Sequence, residues 1–155
     1  MNLIDKKRTI KELEKIRVRN KKSAFLFEIA MRNEKRLVLR NLYRSLYEQK
    51  IKFLKEIEEK IEQVKREISP LQDPKLLSFY KRKRCKLSSL YLKYKMKRRF
   101  TDLYKRELKS YYKYQKCLSK TNHARVREIL LAHKHKISTN LSEMNKTGLM
   151  KFPVT

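Results

Sequence analysis

Apolar residues recur along this chain at three- and four-residue spacing, a period that predicts helix almost throughout. Ile10, Leu13 and Ile16 mark a short first helix over about 5–18. The polar stretch Asn20-Lys21-Lys22-Ser23 interrupts it, and Ser23 is a plausible N-cap for the apolar run 24–31. A long second helix follows from about 34 to 68. Its clearest part is a heptad seam through Tyr47, Leu54, Ile57, Ile61, Val64 and Ile68, flanked by Glu58, Lys60, Lys65 and Glu67. Leu39, Leu42 and Leu46 extend the stripe upstream. This is the pattern of a helix packed lengthwise against another.

Two prolines in Ser69-Pro70-Leu71-Gln72-Asp73-Pro74 end that rod, because each lacks a backbone donor and restricts the residue before it. Asp73 and Pro74 suit the N-cap and first position of a third helical stretch over 74–117. Its seam runs through Leu76, Tyr80, Leu87, Leu90, Tyr94, Tyr104, Leu108, Tyr111 and Leu118. The short connector favours an antiparallel hairpin with the preceding helix. After the polar gap 119–122, Val126, Ile129, Leu130, His133 and Ile137 form a last stripe. From Ser138 the period fades. The expectation is an all-α chain: a long antiparallel helical hairpin with short N-terminal helices and a C-terminal helix. Residues 1–137 make the helical domain and 138–155 a flexible tail.

Composition agrees with helix. One Gly and three Pro in 155 residues are too few for a turn-rich β or doubly wound fold. Charge changes the picture more. Lys and Arg number 43 against 16 acids, a net charge of +27. Residues 1–68 carry 20 basic and 11 acidic side chains, whereas 75–120 carry 17 basic and two acidic. The excess points to a polyanionic or acidic partner, against the alternative of a solvated, lysine-biased surface. The densest clusters are Lys81-Arg82-Lys83-Arg84 and the run containing Lys93, Lys95, Lys97, Arg98 and Arg99. Nucleic acid and an acidic protein surface remain equal readings of these residues. Tyrosines concentrate in the same region, but those on the seam read as packing rather than base stacking.

No catalytic constellation emerges. One Gly excludes a Gly-rich phosphate loop, and His133 and His135 diverge around a helix. Cys85 and Cys117 match no metal spacing, and two isolated cysteines fit a reducing compartment. Neither a cofactor nor a metal is expected, and no apolar run approaches the roughly 20 residues needed to span a bilayer.

Four ordered segments carry a resemblance to a known family. They are Ile10-Lys-Glu-Leu-Glu-Lys-Ile with Asn20-Lys-Lys-Ser-Ala24; Glu48-Gln49 with Lys65-Arg66-Glu67; Leu87-Ser-Ser-Leu-Tyr-Leu with Met96-Lys97 and Phe100; and Leu118-Ser119 with Ala124 and Arg127-Glu-Ile-Leu-Leu-Ala. Over about 10–132 the chain resembles the helical domain of the GINS DNA replication complex, most closely its Sld-five type of subunit. The family's small C-terminal β domain has no visible counterpart. The resemblance implies a nuclear, non-catalytic subunit of a heterotetramer that, with Cdc-forty-five and the MCM ring, scaffolds the replicative DNA helicase. Leu54, Ile57, Ile61, Val64, Leu76, Tyr80, Leu87, Leu90, Tyr94 and Leu108 are then core or partner-interface residues. The alternative is a basic helical RNA-binding component of a ribonucleoprotein particle.

Overall fold

The computed structural model describes residues 2–68, 90, 91, 93 and 100–147. All regular structure among them is helical: α1 (Leu3–Asn33), α2 (Leu37–Arg66), α3 (Phe100–Lys120) and α4 (Ala124–Lys146). Asn2 caps α1, its side-chain oxygen accepting from the Asp5 amide at 2.8 Å. At the other end Glu34 turns extended and ends α1, and its carboxylate accepts from the Arg36 amide and guanidinium. Those bonds hold the Glu34 carboxyl below the usual range and raise the Arg36 guanidinium. His123 caps α4 through Nδ1, which accepts from the Val126 amide. Its Nε2 then carries the proton and faces the Glu67 carboxylate at 3.1 Å, joining the start of α4 to the end of α2.

Cross-helix pairs set the directions. Arg17 approaches Glu58, and Lys6 reaches the Glu67 carbonyl, so α1 and α2 are antiparallel. Tyr104 meets Asn145, and Tyr114 meets His133, so α3 and α4 are antiparallel. α1 also runs against α3, and α2 against α4. Hence α2 and α3 point the same way and occupy diagonal corners of a four-helix bundle. The hairpin expected between the second and third helical stretches is not made by α3; the hairpins are α1 with α2 and α3 with α4. Residues 74–99 of that expected pairing lie mostly outside the described residues.

The core divides into two apolar clusters. One joins Ile10, Leu13 and Ile16 to Phe53, Ile57, Ile61 and Val64, and to Tyr114, Val126, Leu130 and Ile137. The other joins Leu26, Phe27 and Ala30 to Leu39, Tyr43, Leu46, Phe100, Leu103 and Met144. Each fully buried Leu, Ile or Phe contributes about 1.5–3 kcal/mol. Between the clusters lies a polar belt. Asn20 Nδ2 donates to Tyr114 Oη (2.7 Å), Tyr114 approaches His133 Nδ1 (3.0 Å), and His133 Nε2 approaches Glu56 (2.7 Å). A carboxylate only accepts, so the proton sits on Nε2 and Tyr114 donates to Nδ1. One chain of bonds thus crosses all four helices. A heptad away, Lys50 Nζ lies 2.7 Å from Glu107 Oε1, and Asn140 Nδ2 bridges Glu107 Oε2 (2.9 Å) and Gln49 Oε1 (2.6 Å).

This belt explains three departures from the sequence pattern. α1 runs unbroken through Asn20 and Ser23, because both are buried partners rather than a turn and a cap. The buried stripe of α3 passes through Leu103, Glu107, Ser110, Tyr114 and Cys117, one position before the expected seam, so Tyr104, Leu108 and Tyr111 are only half-buried. α4 continues to Lys146, past the expected end of periodicity at 138, with Asn140 and Met144 buried.

Candidate functional site

Of the expected seam residues, Ile57, Ile61 and Val64 are buried in the first cluster, and Leu54 and Leu108 are half-buried. Leu90 is half-buried against the second cluster. Leu76, Tyr80, Leu87 and Tyr94 lie outside the described residues. So do Lys81, Arg82, Lys83, Arg84, Lys95, Lys97, Arg98 and Arg99; of the expected electrostatic residues only Lys93 is described, and it is exposed.

The described helices build a cationic site from other residues. A groove of about 370 Å³ runs between α1 and α3. Lys15, Arg19 and Lys22 line it from α1, at helical spacing, and Arg106, Lys113 and Lys116 line it from α3. Among the described residues its one acidic lining residue is Glu12, which already meets Lys15 at 3.0 Å and Lys120 at 4.0 Å. Lys22, Lys113 and Lys116 have no ion pair among the described residues.

Two arginines are fixed across this groove by reciprocal bonds. Arg19 donates to Ser110 Oγ and to the Arg106 carbonyl, both at 2.8 Å. Arg106 donates to Ser23 Oγ at 3.1 Å and to the Arg19 carbonyl at 3.4 Å. Partial burial lowers the Arg19 guanidinium below its ordinary value, with Glu107 opposing the shift. Burial also lowers the Lys50 ammonium; Glu107 opposes this, while Arg19 and Arg106 add to it. Three cations therefore act around one buried carboxylate, leaving positive potential at the groove floor.

A second groove, of about 550 Å³, lies between α1 and α2. Glu14, Glu58, Glu59 and Glu62 there face Arg17, Lys55, Lys65 and Arg66. Those charges balance, and Arg17 pairs with Glu14 at 2.8 Å and Lys65 with Glu62 at 3.4 Å.

Burial first, and Glu12 second, push the Cys117 thiol up to about 12, so it stays protonated and unreactive. His133 is pushed down to about 4 by burial and is committed to its two bonds. No group of three or more His, Cys, Asp or Glu able to hold a metal occurs among the described residues. No described helix is long and apolar enough to cross a membrane.

Sequence reasoning missed the groove because its six cations form no contiguous cluster. The available signal was period: 15, 19 and 22 share one face of α1, and 106, 113 and 116 share one face of α3. Their meeting depends on the α1–α3 pairing. Comparison of the chain with protein-family models, curated proteins and solved structures finds no match.

Proposed function

We propose that this chain is a non-catalytic structural subunit of a nucleic-acid-handling assembly. The observation that carries this reading is the α1–α3 groove, where six cationic side chains among the described residues face one carboxylate, Glu12, which Lys15 shares with Lys120 outside the groove lining. The buried polar belt supports it further, because polar groups paired across helices at heptad-spaced core positions favour one helix register over its alternatives. A bundle held in one register offers partners a fixed surface.

The assembly we favour is of the GINS type, on the ordered segments over 10–132. In that reading the chain joins three sister helical subunits in the nucleus and, with Cdc-forty-five and the MCM ring, scaffolds the replicative helicase. Its role there is to bridge. The groove also favours a second reading, an RNA-binding structural component of a ribonucleoprotein particle, since its clustered cations suit contact with phosphates.

Fractionation of the native protein tests both readings. Nuclease-resistant co-migration with three helical proteins of similar size is the result expected of a GINS subunit. RNase-sensitive migration in a large particle would exclude GINS and leave the ribonucleoprotein. A free monomer that associates with neither protein nor nucleic acid would overturn the proposal as a whole.

A further inference from the structure

Resting on that reading, we infer that the α1–α3 groove binds the phosphodiester backbone of nucleic acid and reads no bases. The two arginines supply the fixed part of the site. Each guanidinium is oriented by two bonds to the facing helix, so little side-chain freedom remains to be lost when an anion arrives. Lys22, Lys113 and Lys116 supply the adaptable part, at the groove wall and rim. Lys15 and Lys120 are held back by Glu12.

Dimensions fit a short stretch of backbone. From Lys15 to Lys22 the α1 stripe extends about 10 Å, and from Arg106 to Lys116 the α3 stripe extends about 15 Å, at 1.5 Å per residue. Those lengths and the excess of five positive charges suit about three to five phosphates. No aromatic side chain lines the groove among the described residues, so its described walls offer no platform for stacking a base. Recognition is consequently of charge and spacing, independent of sequence. Beneath the groove, Lys50 and Glu107 form a buried pair 2.7 Å apart.

The test is fluorescence anisotropy of the full chain with duplex DNA, single-stranded DNA and RNA of equal length, titrated with salt. Poly-glutamate of matched charge serves as a competitor. For the duplex, log K is expected to fall against log salt with a slope of about −3 to −4.5, about −0.9 per phosphate. Homopolymer and mixed sequences are expected to bind alike. The triple variant Lys22→Glu, Lys113→Glu, Lys116→Glu is expected to flatten the slope by about 2.7. A control triple of the same charge change at exposed positions elsewhere, Lys35→Glu, Lys55→Glu, Lys146→Glu, is expected to retain most of it. Circular dichroism confirms that both variants fold. Binding to either DNA or RNA supports the inference, and the tighter arm names the strand. Equal weakening of the groove and control triples would overturn this site while leaving the assembly reading intact. Absence of binding to every oligonucleotide would also overturn it, and fractionation would then decide the assembly reading separately. Displacement by poly-glutamate as effective as by nucleic acid would make the groove a protein-docking surface instead.

Discussion

The two grooves beside α1 use the same residue types to opposite ends. Toward α2, four carboxylates face four cations, and close pairs such as Arg17 with Glu14 neutralise them locally. Toward α3, six cations face a single glutamate already engaged by Lys15 and Lys120. One helix therefore presents a neutral face and a cationic face. The difference shows why a net charge of +27 is a poor guide by itself. What attracts a polyanion is charge that the fold leaves uncompensated, and that depends on which helices meet.

The sharpest way to break the contrast is to remove the carboxylate under the cationic side. Glu107→Ala leaves Lys50 fully buried without its partner and is expected to cost about 3–5 kcal/mol in urea unfolding. Adding Lys50→Met to Glu107→Leu is expected to recover most of that stability, since an apolar pair of similar volume often equals a buried ion pair.

Acid loosens the belt that links the four helices. His133 has a folded value of about 4, below its ordinary 6.5. Between these values the unfolded chain binds the proton and the native chain does not. The contribution of His133 is therefore complete above about pH 6.5 and is lost as pH falls toward 4, by up to about 3 kcal/mol. Denaturant midpoints measured across this window are expected to fall more steeply for the natural chain than for His133→Gln.

Tyr114→Phe removes one hydroxyl between Asn20 and His133 and is expected to cost about 1–2 kcal/mol, read as a lowered melting temperature. The smallest effect on stability, within about 0.5 kcal/mol, is expected from Glu58→Lys with Glu62→Lys on the neutral face, because Glu62 is largely exposed and Glu58 is partly exposed with only a 4.0 Å contact to Arg17. If groove charge determines binding, this pair is expected to steepen the salt dependence of nucleic-acid binding by about 1–2 in slope. An unchanged slope would show that the cationic groove depends on more than its charge count.

The all-α fold was legible in the chain because period and scarcity of turn residues agree. Ile57, Ile61 and Val64 were legible for the same reason: a heptad of apolar residues carries its own register. The belt was hidden. Asn20 and Ser23 carry the local signature of a break, and only Tyr114 and Arg106 from a distant helix make them interior residues. Glu107 and Ser110 likewise displaced the perceived seam of α3, because a polar residue at a buried position looks like a surface one until its partner is known. The cationic groove needed the pairing of α1 with α3, whereas the basic runs that dominate the eye at 81–84 and 93–99 lie, Lys93 apart, outside the described residues.

The bond chain from Asn20 through Tyr114 and His133 to Glu56 has a kinetic consequence. Residues 34–36 close the first hairpin, and residues 121–123 the second, so each assembles from contacts near in sequence. The bond between Tyr114 and His133 lies within the second hairpin, but Asn20 and Glu56 lie in the first. The chain is completed only when the two hairpins dock, a step that must also align Lys50 with Glu107. Docking polar partners that tolerate little misalignment places their bonds late, after the apolar stripes have met. Substitutions at Asn20 or Glu56 are then expected to show φ-values near 0, speeding unfolding while leaving refolding almost unchanged. The belt in this light acts as a latch, closing last and opening first, and it governs how long the docked bundle persists.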